Sequence, residues 1–331
     1  MKRTIAGTKL KSIGLGCMNL THHAYGKPPS VETSRELLRH AFDIGVQHFD
    51  TAALYGSGRN EQLLGEMFHT VRNQVFIASK GGLRSVGATR VIDGRPSVLK
   101  KSCEDSLKRL QTDYIDLFYL HRLDKAVPIE ESVGALGDLV RAGKIRGIGL
   151  CEVSVATLRR AHTTHPIAAV QSEYSLWTRN PEFAVLELCR EIGAAFVAFS
   201  PVARGFLAGG IKSGFGDRDI RAHMPRFQEP NLAHNLRRYE AFEKLARRSF
   251  LTPTQLALAW VLSRGDHVHV IPGTTNIRHV IENNRTPMNI SADVLTEAQA
   301  IINEEIIHGA RYPASVLAEM DEEPVPHGGE F

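Results

Sequence analysis

Four titratable residues of different types stand at or just beyond the ends of three β-rich runs. Asp50 lies at the end of Gln47–Thr51, Lys80 ends Val75–Lys80, and His121 ends Tyr114–His121, with Tyr55 in the short stretch after Asp50. A strand-end aspartate alone reads equally well as a cap for the next helix. An Asp, a Tyr, a Lys and a His on one rim form a set that packing does not call for. The chemistry that suits them is carbonyl reduction. Hydride added to a C=O leaves an alkoxide that must receive a proton. A tyrosine can donate it, but its free pKa of about 10 is high for an acid working near neutrality. A nearby buried ammonium favours the phenolate and lowers that value. Lys80 can supply the charge, Asp50 can hold Lys80, and His121 can hydrogen-bond the substrate oxygen and orient it.

The elements that must position these residues alternate along the chain. The strand candidates are Ile13–Met18, Gln47–Thr51, Val75–Lys80, Tyr114–His121, Ile145–Leu150, Ala168–Glu173, Ala195–Ser200 and His267–Ile271. Between them run amphipathic segments, among them Ser34–Ile44, Pro96–Leu110, Ile129–Ala142, Val155–His162, Pro181–Ile192, Asn235–Ser249 and Thr254–Ser263. Thr33 and Glu36 have capping-box spacing, and Gly45 stands where a helix would stop. Eight strands alternating with helices predict a (β/α)8 TIM barrel, in which catalytic groups come from the C-terminal strand ends. The 331 residues are then read as a single barrel domain, 1–331, with an acidic Pro- and Gly-containing tail from 310 to 331. The long helix-poor loop after strand seven, 201–234, is expected to serve as a cofactor or substrate lid.

The strings FDTAALYGSG (49–58), FIASKGG (76–82), DYIDLFYLHR (113–122) and VIPGTTNIRHVIEN (270–283) closely resemble the aldo-keto reductase family. The resemblance runs in order from IGLGCM (13–18) to about residue 312, and it includes bacterial-type and pyridoxal-reductase-like members. It implies that Asp50, Tyr55, Lys80 and His121 are the catalytic tetrad, with Tyr55 as general acid. It implies a nicotinamide cofactor, with NADPH preferred and NADH possible. Gly273, Thr274, Thr275, His279, Glu282 and Asn283 are assigned to the adenosine and 2′-phosphate end. Ser200, Pro201, Val202 and Gly205 are assigned to the pyrophosphate. Met18, Asp50, Glu152, Gln171 and Phe199 complete the expected cofactor contacts, Phe199 as a stacking platform. The family's usual Ser-Asn pair after strand five is Cys151-Glu152 here; Glu152 can still accept from the carboxamide. The substrate is expected to be a small-molecule carbonyl compound, with Tyr25, Tyr55, His121 and Trp177 lining its pocket; Trp177 reads equally as rim packing.

The residues bear on the cofactor independently. No Gly-x-Gly-x-x-Gly follows the first strand, and Gly14-Leu-Gly16 is too short to cradle a dinucleotide. Gly273-Thr274-Thr275-Asn276 instead precedes a helical stretch carrying Arg278 and His279, and a helix start with free amides is an anion site. His267 and His269 lie on one face of a strand, as in metal-dependent barrel hydrolases, but on the last strand rather than the first. No metal is expected, and the hydrolase is an alternative to the reductase, as is a cofactor-binding regulatory subunit of the same fold.

Composition narrows the remaining classes. Hydrophobic residues make up 43% and charged residues 23%, and the formal charge of +4 is spread along the chain. Basic pairs such as Arg237-Arg238 lack interleaved aromatics, so no nucleic-acid surface is expected. The four cysteines are far apart, with neither a disulfide framework nor a zinc spacing. No apolar run approaches the roughly 18 residues of a membrane span. The expectation is a cytoplasmic monomer.

Overall fold

The computed structural model describes residues 2–87, 89–211, 215–216 and 218–321. The chain opens with an antiparallel hairpin, β1 (Lys2–Ile5) and β2 (Thr8–Lys11). The barrel strands begin with β3 (Leu15–Gly16), β4 (His48–Asp50) and β5 (Phe76–Gly81). A second hairpin, β6 (Leu83–Val86) and β7 (Thr89–Ile92), rises above β5. The barrel continues with β8 (Leu117–Leu120), β9 (Ile148–Cys151), β10 (Ile167–Glu173), β11 (Ala195–Phe199) and β12 (Val268–Val270). All eight expected strands are present, in the parallel order β12-β11-β10-β9-β8-β5-β4-β3. Parallel bridges Ile13↔Val270 and Gly16↔Gly273 join the first strand to the last and close the ring.

The short first strand explains its glycines. A Cβ on Gly16 would meet the carbonyl oxygen of Ile271 at 2.7 Å, and one on Gly14 would meet that of His48 at 2.9 Å. These glycines let the barrel close, a role separate from phosphate binding.

The helices are α1 (Val31–Asp43), α2 (Arg59–Phe68), α3 (Pro96–Leu110), α4 (Ile129–Arg141), α5 (Val155–Thr164), α6 (Val185–Glu191), α7 (Asn231–Arg248), α8 (Pro253–Leu262), α9 (Ile277–Asn284), α10 (Ala292–Ile301) and α11 (Ala314–Leu317). The cap of α1 differs from expectation. Ser30, not Thr33, is the N-cap, and its hydroxyl accepts from the backbone amide of Thr33. Pro28-Pro29 ends just before it, so the helix begins one turn earlier.

Side-chain alternation divides the core into two layers. Phe49, Ile77, Phe118, Ile148 and Leu150 face the helices. Phe76, Ala78, Leu117, Tyr119, Cys151 and Val197 fill the barrel, with Ile5 and Leu10 of the β1–β2 hairpin as its floor. His48 and Asp50, and Phe76, Ala78 and Lys80, therefore share the inward register. The last inward position of each strand lies at the rim.

Two expectations are corrected here. The tail from 310 onward does not begin there: Arg311, Tyr312 and Met320 are buried, and α11 lies between them. Lys125 donates to the carbonyl of Ala318, and Asp321 accepts from the Ser154 amide. Residues 322–331 lie outside the described residues. Trp177 is not a pocket wall either. It is 1% exposed, stacks on Phe206 at 4.5 Å and meets Phe227 edge-on. Phe206 and Phe227, from either end of the loop after strand seven, pack on Trp177, with buried Arg226 donating to Thr178.

Candidate active site

The rim residues meet as their register requires. Lys80 is 1% exposed, and its Nζ forms an ion pair with Asp50. The same Nζ donates to the carbonyl of Thr51 at 2.9 Å and reaches the phenol oxygen of Tyr55 at 3.3 Å. The other Asp50 oxygen accepts from Gln171 at 2.8 Å. The Tyr55 ring stands edge-on to His121, with centroids 6.0 Å apart.

Tyr55 is held by a turn that only certain residues can make. Gly56 and Ser57 have φ of 57° and 55°, in the left-handed region. A Cβ on Gly56 would also lie 2.9 Å from the Thr21 hydroxyl. Asn60 locks this turn. It accepts from the Thr51 hydroxyl at 2.6 Å and donates to the Cys17 carbonyl and the Thr21 hydroxyl, both at 2.8 Å. Asn60 was not expected from sequence, because its partners come from two loops distant along the chain.

Electrostatics follow from this burial. Desolvation alone would lower the Lys80 pKa, but the Asp50 carboxylate and Tyr55 outweigh it, and the ammonium is held more firmly than usual. Burial raises the Tyr55 pKa, and Lys80 pulls against that rise. The expectation that Lys80 brings the phenol down is thus met only as an opposing influence: desolvation wins. Burial, then Arg122 and Lys80, depress the His121 imidazole well below its ordinary range, so it is neutral near pH 7.

These groups open into a cavity of about 890 Å³. Met18, Tyr25, Asp50, Tyr55, His121, Gln171, Phe199, Ser200, Pro201, Val202, Gly205, Gly273, Thr274, His279, Glu282 and Asn283 all line it. Lys80 stands behind Tyr55 and does not. Thr275 is exposed outside the wall. Glu152 is a correction. Its φ of 52° turns the side chain away, one oxygen accepts from the Glu173 amide at 2.6 Å, and the other pairs with Arg311 at 2.5 Å. Cys151, its neighbour, is the one that lines the cavity.

The far end is also ordered. Asn276 caps α9 by accepting from the Arg278 amide at 2.9 Å. Thr274 accepts from the Asn276 amide and lies 3.1 Å from Nδ1 of His279. Between the two ends, Arg204 pairs with Glu173 at 2.6 Å and donates to the Tyr25 hydroxyl at 3.1 Å; Tyr312 donates to the same Glu173 at 2.9 Å. Arg221 pairs with Asp219 at 2.6 Å. Arg204, Arg221 and Tyr312 were missed in the sequence; a Pro-x-x-Arg after strand seven was the only local signal.

A dinucleotide fits this shape: the cavity runs from the Tyr55 hydroxyl past the Phe199 ring to the start of α9, with Gly205 and Gly210 leaving its middle open. The two metal-hydrolase histidines do not converge. His267 bonds the Leu186 carbonyl at 3.0 Å, while His269 is enclosed within the barrel. Among the described residues no helix is long and apolar enough to cross a membrane.

Comparison with known proteins bears on the whole chain. A model described as "Aldo/keto reductase family" matches residues 12–303. The "Probable aldo-keto reductase 1" of Glycine max is 45% identical over 84% of this chain and 81% of its own. The "Aldo-keto reductase yakc [NADP(+)]" of Schizosaccharomyces pombe is 40% identical over 98% of both chains. Among solved structures, the glycerol dehydrogenase AKR11B4 from Gluconobacter oxydans superposes with a TM-score of 0.83 at 26% identity, covering 99% of each chain.

Proposed function

This chain belongs to the aldo/keto reductase family and is an oxidoreductase acting on small-molecule carbonyl compounds with a nicotinamide cofactor, and on that premise we propose how its residues divide the work. Tyr55 is the general acid that delivers a proton to the carbonyl oxygen. Lys80 is the positioning cation behind it, and Asp50 fixes Lys80. His121, neutral and facing the cavity, donates a hydrogen bond that orients the substrate oxygen. The observation that carries this reading is the single Nζ shared between Asp50 and the Tyr55 hydroxyl at the cavity floor.

The bound nicotinamide supplies the hydride. Gln171 and Cys151 would border its carboxamide end, Phe199 would offer a face for its ring, and Ser200, Pro201, Val202 and Gly205 would border the pyrophosphate. Gly273, Thr274, His279, Glu282 and Asn283 would hold the adenosine end. NADPH is preferred over NADH, with Arg278 and His279 in the first turn of α9 as the residues placed to meet the 2′-phosphate, while Arg285 caps the far end of that helix; the NADP(+) in the S. pombe relative's name supports this. The protein is read as one barrel domain acting as a cytoplasmic monomer. Its four cysteines are buried and free, and its exposed large hydrophobics Val31, Val86, Phe183 and Phe250 are scattered in sequence.

The test is NADPH oxidation against a panel of aldehydes and ketones by wild type and Tyr55→Phe. Loss of the proton donor should cost roughly 10²–10⁴ in kcat with the fold retained. A Tyr55→Phe enzyme keeping more than about half of the rate overturns the assignment.

A further inference from the structure

If the carbonyl is reduced beside Tyr55 and His121, as just proposed, the residue after His121 bears on what else the substrate carries. Four arginines line the cavity: Arg90, Arg122, Arg204 and Arg221. Three have carboxylate partners, in Glu319, Glu173 and Asp219 respectively. Arg122 has none among the described residues. Its Nη1 donates to the His121 carbonyl at 2.7 Å, and its Nε is buried with no hydrogen-bond partner. The acid nearest in sequence, Asp124, is occupied by the amides of Gly94 and Ala126, both at 2.9 Å.

A half-buried guanidinium without a counter-ion is costly in a protein unless something anionic completes it. The residues assigned to the cofactor phosphates follow β11 and β12, three and four positions from β8 in the ring. Arg122 follows β8, and the proposed adenosine end follows β12; these strands are four positions apart in the eight-stranded ring, on opposite sides. Arg122 is instead on the side of the acid. Its charge acts on the His121 imidazole and on the Cys151 thiol, which burial nonetheless pushes up to about 12.

We propose that Arg122 is a specificity residue that receives an anionic group, carboxylate or phosphate, carried by the carbonyl substrate. The planar group suits either oxyanion, and the bond to His121 holds it at the wall; with Nε buried, the Nη groups are the ones that can meet the ligand. This inference rests on the reductase reading and is tested so that the two fail separately. Matched aldehydes are compared: 4-carboxybenzaldehyde against methyl 4-formylbenzoate, and 4-formylphenyl phosphate against 4-methoxybenzaldehyde. In wild type, kcat/KM should favour the anionic member of at least one pair by about tenfold or more, and which pair responds identifies the oxyanion. In Arg122→Gln that ratio should fall about tenfold, and Arg122→Lys should keep part of it. A ratio within one preparation is insensitive to any misfolded fraction. No preference in wild type, or an equal loss on both members in Arg122→Gln, overturns the proposal. If wild type reduces none of the four and no member of the wider carbonyl panel, the reductase reading fails instead. Calorimetric binding of unreactive terephthalate and phenyl phosphate then decides: a loss of about tenfold in Kd for either anion in Arg122→Gln supports the site, and unchanged affinity for both overturns it.

Discussion

The ammonium of Lys80 lies 3.3 Å from the phenol oxygen of Tyr55 while ion-paired to Asp50, so the two residues titrate in one another's field. Burial has raised the Tyr55 pKa despite that cation, with Asp50 adding to the rise.

Lys80→Met should therefore move the alkaline limb of the carbonyl-reduction profile to higher pH. Removing the cation removes the one influence holding the phenol down, so Tyr55 stays protonated further into the alkaline range and is a weaker acid. The rate at neutral pH should fall along with that shift. Asp50 is left as an unpaired buried carboxylate, which costs about 3–5 kcal/mol of stability. Adding Asp50→Asn should recover part of the lost Tm without restoring the rate. A kcat–pH profile that keeps its alkaline limb in Lys80→Met would remove the tuning role.

Asn60→Ala should lower both stability and turnover although Asn60 touches no part of the cavity. The substitution strands the Thr51 hydroxyl, the Cys17 carbonyl and the Thr21 hydroxyl, and unmade buried hydrogen bonds cost about 1–3 kcal/mol each. Denaturant unfolding measures the first effect. The second should appear in kcat more than in KM for the carbonyl, because the turn carrying Tyr55 is what loosens.

Stability should fall as pH drops below the ordinary histidine range. Burial depresses the His48 pKa to about 4, with Lys80 adding to it against Asp50; His269 falls to about 3, with His48 and Arg3 adding to burial. The unfolded chain binds a proton on each near pH 6.5 and the folded chain does not. Stability is therefore complete above that pH and is lost as pH falls toward about 4 and about 3. The slope is about 1.4 kcal/mol per pH unit for each group. Urea unfolding at pH 7 and pH 5 measures it, and His269→Gln should flatten the dependence. No loss of stability between pH 7 and pH 5 would show that these rings titrate in the fold as they do in the unfolded chain.

NADPH should be favoured over NADH by a modest factor. Arg278 is exposed and Thr275 lies outside the cavity wall, so no bidentate cation stands directly after Gly273-Thr274. A missing charge-assisted pair forfeits roughly one to two decades of discrimination. The ratio of kcat/KM for the two cofactors should fall in Arg278→Ala and His279→Ala. A preference for NADH, or a ratio indifferent to both changes, would place the 2′-phosphate elsewhere.

The barrel and its reactive rim were legible along the chain because both follow from local rules. Alternation of period two sends Asp50, Lys80 and His121 inward, and the end of each strand puts them at the rim. The turn before α9 was readable for the same reason: Gly273, Thr274 and Asn276 act within six residues of His279, and Asn276 caps its own helix. Each of these depends on neighbours a few positions away.

What the linear order could not decide is which distant group each long side chain meets. Glu152 was expected at the cofactor and is turned away by a left-handed φ toward Arg311, a partner 159 positions on. Trp177 could have been wall or packing, and Phe206 and Phe227, from a segment with no helical periodicity, made it packing. Residues 310–331 read as an acidic tail, yet Tyr312 closes a buried bond to Glu173, 139 positions away. The physical reason is common to all three. Backbone periodicity is set by sterics between adjacent residues, whereas an ion pair or a stacked ring is chosen by whatever the closed barrel brings within a few ångströms. Arg122 is the same case seen from the other side: only the assembled cavity shows that its three fellow arginines are paired with carboxylates and that it has no such partner among the described residues.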